Sequence, residues 1–97
     1  MDERERRIIG VLVALQPGEV TTYGEIAETA GYPKHSRLVG RILQLTDVEV
    51  PWWRVVNAAG RLVPGHELEQ AELLREEDVI VRDGYVASAP YGRFSRV

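Results

Sequence analysis

Proline- and glycine-bearing breaks cut this chain into short pieces and leave room for nothing but brief helices and strands. Gln16-Pro17-Gly18, Gly31-Tyr32-Pro33, Pro64-Gly65 and Asp83-Gly84 are the breaks. Proline fixes φ and removes a donor, and glycine admits left-handed turns, so regular structure ends at each of them. The pattern between the breaks predicts a first helix from Asp2 to Leu15, acidic in its opening turn, with Ile8, Ile9, Val11, Leu12, Val13 and Leu15 as its apolar positions. Val20 reads as a short extended link.

Thr22-Tyr23-Gly24-Glu25 has the form of a capping box, in which the threonine hydroxyl serves the amide three residues on and the glutamate reaches back. It predicts a helix to about Thr29 that buries Ile26 and Ala27. A third helix is expected from His35 or Ser36 to about Leu45. Leu38, Val39, Ile42 and Leu43 form its inner stripe, and Arg37, Gly40 and Arg41 face outward. Two short helices joined by a glycine- and proline-bearing turn make a helix-turn-helix candidate, a weak pattern when it stands alone.

Further on, Arg54-Val55-Val56 reads as a brief strand, Asn57-Ala58-Ala59-Gly60 as a turn, and Arg61-Leu62-Val63 as a segment pairing back. A helix from about His66 to Glu77 would turn Leu68, Ala71, Leu73 and Leu74 inward. Val79-Ile80-Val81, Arg82-Asp83-Gly84 and Tyr85-Val86 carry a hairpin signal. The segment from Ser88 to Val97 is expected to be a loosely held tail. The fold class is therefore mainly α with a small β component: one winged helix-turn-helix domain over residues 1–97, with a short C-terminal hairpin.

Composition removes several functions. Cysteine is absent, so no disulfide, thiolate metal site or thiol nucleophile is available. His35 and His66 stand apart from any serine or carboxylate at a catalytic spacing, and each reads as a surface or capping residue. No metal, cofactor or catalytic set is expected. The charged opening heptad is unlike a signal peptide, and no apolar run approaches a membrane span, so a cytoplasmic location is expected. The net charge of −3 argues mildly against nucleic acid. Yet Lys34, Arg37, Arg41, Arg54 and Arg61 face only Asp47 and Glu49 between Ala30 and Leu62, a local balance of +3. Charges act within about a Debye length, ~10 Å, so a basic middle can hold phosphates in an acidic protein.

Both tryptophans lie side by side in Val50-Pro51-Trp52-Trp53-Arg54-Val55-Val56. On an extended backbone they point to opposite faces. Either both are packing residues, or one is a flat pocket wall for a planar ligand.

Three runs together, Thr21-Thr22-Tyr23-Gly24-Glu25-Ile26-Ala27, Ser36-Arg37-Leu38-Val39-Gly40-Arg41 and Val50-Pro51-Trp52-Trp53-Arg54-Val55-Val56-Asn57 with Gly60, resemble the DNA-binding domain of the O6-alkylguanine-DNA alkyltransferases. Those enzymes read Pro-Cys-His-Arg-Val in the third run, the cysteine accepting the alkyl group. Here Trp52 and Trp53 replace the cysteine and histidine, as the leading Pro-Trp does in the alkyltransferase-like proteins. Alkyl transfer needs a soft nucleophile, which an indole is not, and the sole methionine is residue 1.

The resemblance implies a non-enzymatic sensor that binds O6-alkylguanine in double-stranded DNA, approaches from the minor groove and rotates the nucleotide into a pocket. It would mark the lesion for nucleotide excision repair proteins and act as a monomer. Arg37 would fill the vacated stack, Tyr23 would press on the phosphate, and Trp52 and Trp53 would line the pocket. Thr22, Lys34, Ser36, Gly40, Arg41, Arg54 and Arg61 complete the implied DNA-contact set, Arg54 being equally suited to a structural hydrogen-bonding role. Two departures stand out: the segment between Arg37 and Pro51 is shorter than the usual pattern, and Val63-Pro64-Gly65-His66 lacks the lysine or arginine that some relatives place over the base. Two other readings are a winged-helix transcription regulator without lesion specificity and a protein-interaction module that has lost DNA binding.

Overall fold

Asp2 starts the first helix: its carboxylate accepts the Glu5 amide at 2.8 Å, and Glu3 and Glu5 place negative charge at the positive end of the helix dipole. The computed structural model describes residues 1–95. In chain order the elements are α1 (Glu3–Val13), β1 (Glu19–Thr22), α2 (Tyr23–Thr29), α3 (Ser36–Leu45), a single 3-10 turn (Trp52–Arg54), β2 (Val55–Val56), α4 (Glu67–Arg75), β3 (Ile80–Arg82), β4 (Tyr85–Ser88) and β5 (Tyr91–Gly92). The fold is mainly α with a small β component, as the patterning suggests. No described helix is long and apolar enough to cross a membrane.

Local chemistry sets the helix-turn-helix. Thr22 Oγ1 accepts the Glu25 amide at 3.1 Å, as expected of the capping residue, while the Glu25 carboxylate takes the hydroxyl of Thr21 at 3.0 Å. At the far end of α2, Gly31 has a φ of +97°. The Tyr32 amide then reaches the Ala27 carbonyl at 2.8 Å, and the Gly31 amide reaches Glu28 at 3.0 Å. This is a Schellman closure, which needs a left-handed residue after the helix, and glycine adopts that conformation without a Cβ clash. Tyr32 and Pro33 then redirect the chain into α3.

Two apolar clusters fill the interior. Ile8, Leu12, Ile26, Val39 and Ile42 join α1, α2 and α3 in the first. Val20, Leu62, Leu74, Val81 and Val86 bring the sheet, α4 and the hairpin together in the second. β2 stitches the two, because strand alternation sends Val55 into the first and Val56 into the second. β1 lies between β2 and β5, parallel to both, with Thr21 opposite Val55 and Glu19 opposite Tyr91. β3 and β4 form an antiparallel hairpin whose turn residues, Asp83 and Gly84, both have positive φ (+52° and +80°), as the Asp-Gly signal suggests.

Four expectations are corrected. Arg54 belongs to the 3-10 turn and not to a strand with Val55 and Val56. Arg61 bridges forward to Tyr85, and the Leu62 amide reaches the Gly84 carbonyl at 2.9 Å, so this segment pairs with the hairpin. Leu68 is 88% exposed, because α4 turns Gln70, Ala71 and Leu74 inward and Leu68 falls off that stripe.

The fourth concerns the tail. Residues 88–95 are bound into the fold, and only Arg96 and Val97 lie outside the described residues. The Tyr91 amide donates to Gly18, the Arg93 amide donates to Val20, and Phe94 packs on the second cluster. A Cβ at Gly92 would meet the Val20 carbonyl oxygen at 2.5 Å, and its φ is +83°. Gly92→Ala should therefore lower unfolding free energy by about 1–3 kcal/mol, read as a shift of the urea midpoint. An unchanged midpoint would mean that β5 contributes nothing to stability.

Candidate nucleic-acid interface

Pro51 breaks the approach to the tryptophans, and the Arg54 amide closes a tight turn onto the Pro51 carbonyl at 3.1 Å. What aims this turn is a carboxylate from the end of α4. Glu77 accepts from Arg54 Nη2 at 2.7 Å and Nε at 3.0 Å, from Trp53 Nε1 at 2.9 Å and from the Gly18 amide at 2.8 Å. Arg54 Nη1 donates to the Leu15 carbonyl at 2.8 Å, and its guanidinium carbon lies 5.1 Å from the centre of the Trp53 ring. Both charged side chains are nearly buried, 11% and 13% exposed. Burial alone would raise the Glu77 pKa, but the Arg54, Gly18 and Trp53 hydrogen bonds outweigh it and hold the carboxyl below its ordinary value.

This arrangement sorts the two indoles. Trp53 is pinned against the second cluster as a core anchor. Trp52 stands perpendicular to it, 6.2 Å between ring centres at 88°. The divergence arises from a 3-10 turn, not from the strand alternation used to anticipate it.

Trp52 faces a cavity of about 520 Å³ lined by Tyr23, Gly40, Leu43, Gln44, Val63, Pro64, His66 and Glu69. That volume suits a small planar ligand, for which pockets of roughly 300–1,000 Å³ are typical. The His66 ring stands 5.9 Å from Trp52 in an edge contact. Gln70, fully buried, holds two walls together: its Oε1 accepts the Val63 amide at 2.7 Å, and its Nε2 donates to the carbonyls of Trp53 and Val55 at 3.2 Å. Tyr23 is half-buried, and burial pushes its pKa above the ordinary phenol value, so the hydroxyl stays a donor at neutral pH. Gly40 packs beside it, an added Cβ lying 4.0 Å from Tyr23 Cε1.

Of the residues singled out from sequence, Tyr23, Gly40 and Trp52 come together in this cavity. Lys34, Ser36, Arg37, Arg41 and Arg61 are exposed and outside it. Arg37 and Arg41, one turn apart on α3, share a helix face. Thr22 is buried and its hydroxyl caps α2. Arg54 is largely withdrawn from the surface by its ion pair, which gives it a structural hydrogen-bonding role. Trp53 lines a separate concavity of about 650 Å³ that also borders Trp52. Sequence reasoning missed Gln44, His66, Glu69 and Gln70. The edge contact of His66 depends on a loop closure, and the helical stripe through Ala71 and Leu74 was the one available signal for Gln70.

These features define a winged helix-turn-helix domain with an aromatic pocket formed by α2, α3, Trp52 and the start of α4. A family model described as the DNA-binding domain of 6-O-methylguanine DNA methyltransferase matches residues 3–79, and the chain belongs to that family. It is 38% identical over 96 residues to a DNA base-flipping protein of Vibrio parahaemolyticus, covering 94% of this chain and 96% of that one. It is 35% identical over 85 residues to alkyltransferase-like protein 1 of Schizosaccharomyces pombe, covering 81% and 79%. The crystal structure of S. pombe Atl1 in complex with damaged DNA containing O6-carboxymethylguanine matches with a TM-score of 0.74 at 33% identity, over 84% of this chain and 82% of that one.

The buried pair gives a pH prediction. A carboxyl whose folded pKa is depressed contributes stability that is complete above its unfolded value, ~4.3, and is lost as pH falls through the folded value. Unfolding free energy should hold from neutral pH to about 5 and decline below it. Glu77→Ala should cost about 3–5 kcal/mol at pH 7, by leaving Arg54 buried without its partner, and should flatten the acid limb. Denaturant titrations across pH measure both, and an acid limb equally steep in the variant would contradict this role for Glu77.

Proposed function

We propose that the chain is a non-enzymatic sensor of O6-alkylguanine in duplex DNA, taking the rotated nucleotide into the Trp52 pocket. The observation that carries this reading is Trp52 itself, an indole lining one cavity with Tyr23 in a chain without cysteine. Alkyl transfer requires a nucleophile that the pocket lacks, so the alkyl group stays on the base. The names of the relatives, a base-flipping protein and a protein solved with damaged DNA, support the same class.

The steps follow from residue chemistry. The exposed cations of α3 and its preceding turn, Lys34, Arg37 and Arg41, meet the phosphates. Rotating a nucleotide out of the stack costs a few kcal/mol, and less when its pairing is already impaired. O6-alkylation removes the N1 proton and obstructs the pairing edge, which lowers that cost. The Arg37 guanidinium, planar and rich in donors, occupies the gap and pairs with the orphaned base. The Tyr23 hydroxyl donates to the displaced backbone. Stacking on Trp52 returns about 1–3 kcal/mol. Since nothing is transferred, the complex itself marks the site, and nucleotide excision repair proteins are the partners that such a mark would recruit.

One duplex with and without a single O6-methylguanine, at fixed salt, tests the reading. The lesion should bind tighter by about tenfold or more, ~1.4 kcal/mol, and the recovered strand should still carry its methyl group. Arg37→Ala should lose a few kcal/mol on the lesion duplex. Equal affinities for the two duplexes, or a demethylated product, would sink the proposal.

A further inference from the structure

The lining of the pocket carries one acidic side chain, contributed by α4. Among the residues that line the cavity, Tyr23, Leu43, Gln44, Val63 and Pro64 are uncharged, and no lysine or arginine is present. Glu69 is the only one that bears a formal negative charge. It stands in the first turn of α4, three residues after His66, and takes part in neither of the ion pairs formed among the described residues. Its neighbour Glu67 is occupied with the Gly65 amide at 2.8 Å. The exposed cations Arg37, Arg41 and Arg61 lie outside the lining and leave the Glu69 charge uncompensated there.

We propose that Glu69 sets the charge selectivity of the pocket, so that neutral O6-alkyl groups are accepted and adducts ending in a carboxylate are disfavoured. The proposal rests on the reading of this cavity as the O6-alkylguanine site. A group attached at O6 projects from the base edge into the space that Glu69, His66 and Trp52 enclose. A methyl or propyl group there is indifferent to a carboxylate, whereas a carboxymethyl group brings a second negative charge beside the first. Like charges a few ångströms apart at an interface repel by enough to change affinity about tenfold. His66 lines the same part of the cavity, beside Trp52. Its position beside Trp52 makes it the place where a fixed cation would reverse the preference.

The test uses four versions of one duplex, carrying guanine, O6-methylguanine, O6-propylguanine or O6-carboxymethylguanine, titrated at one salt concentration and one pH. Propyl is neutral and similar in length to carboxymethyl, so it separates charge from size. The whole chain should bind the propyl lesion about tenfold tighter than the carboxymethyl lesion. Glu69→Gln should bring that ratio to about one, and His66→Arg should favour the carboxymethyl lesion. Because each ratio is taken within one protein, a general gain in DNA affinity on losing a negative charge cancels. Equal binding of the propyl and carboxymethyl lesions by the parent, or a ratio that Glu69→Gln leaves unchanged, would overturn the assignment while leaving the sensor reading intact. Failure of every lesion to bind better than guanine would overturn the sensor reading itself, and this assignment with it.

Discussion

The ion pair of Arg54 with Glu77 is the contact on which the geometry of the site depends. Two charges are nearly buried, and desolvation alone would make that unfavourable. The pair persists because its hydrogen-bonding capacity is well used: Arg54 donates to Glu77 and to the Leu15 carbonyl, and Glu77 also takes the Gly18 amide and the Trp53 indole. Those partners come from the end of α1, the turn before β1, the 3-10 turn and the end of α4. Four parts of the chain are thus held in register at one point. The consequence for the site is directional. With Trp53 bound to Glu77 and covered by the Arg54 guanidinium, the turn has one way to face, and Trp52 looks into the cavity.

The chemical character of the site follows from what stands at its centre. A thiolate there would make the pocket a place of reaction, used once for each transfer. An indole instead offers a flat apolar surface on which a planar ring can stack. Gln70 matters as well. It fastens the Val63 loop and the backbone of the Trp turn to α4, so the walls are set before any ligand arrives. The charge pattern divides the labour: exposed cations on and around α3 suit phosphates, while α4 presents acid at the rim of the cavity.

Much of the architecture was legible because its determinants are local. Thr22 capping Glu25, Gly31 closing α2, and Asp83-Gly84 turning the hairpin each act within a few residues, and the structure places all three as the sequence suggests. The three motifs that placed the chain in its family likewise pointed to Tyr23, Gly40 and Trp52, which converge on one cavity. What escaped was long-range. Arg54 and Glu77 are 23 residues apart, and no periodicity joins them. β5 pairs with β1 across most of the chain, so a polar, aromatic tail read as loose is bound as a strand. Leu68 and Gln70 exchange the roles that their polarity suggests. The Trp53, Val55 and Val63 backbone groups need a buried polar partner, and an apolar side chain at residue 70 could not supply one.

A single base entering the pocket against Trp52 would be reported by the indole itself. Trp53 is held by Glu77 and Arg54 outside the Tyr23 cavity, so a change in emission on binding should come chiefly from Trp52. Titrating the protein with duplex bearing one O6-methylguanine should produce a saturable change at one protein per lesion. The undamaged duplex should produce little change, and Trp52→Phe should remove the signal. An identical response to both duplexes, or lesion binding that leaves the Trp52 emission untouched, would contradict the account.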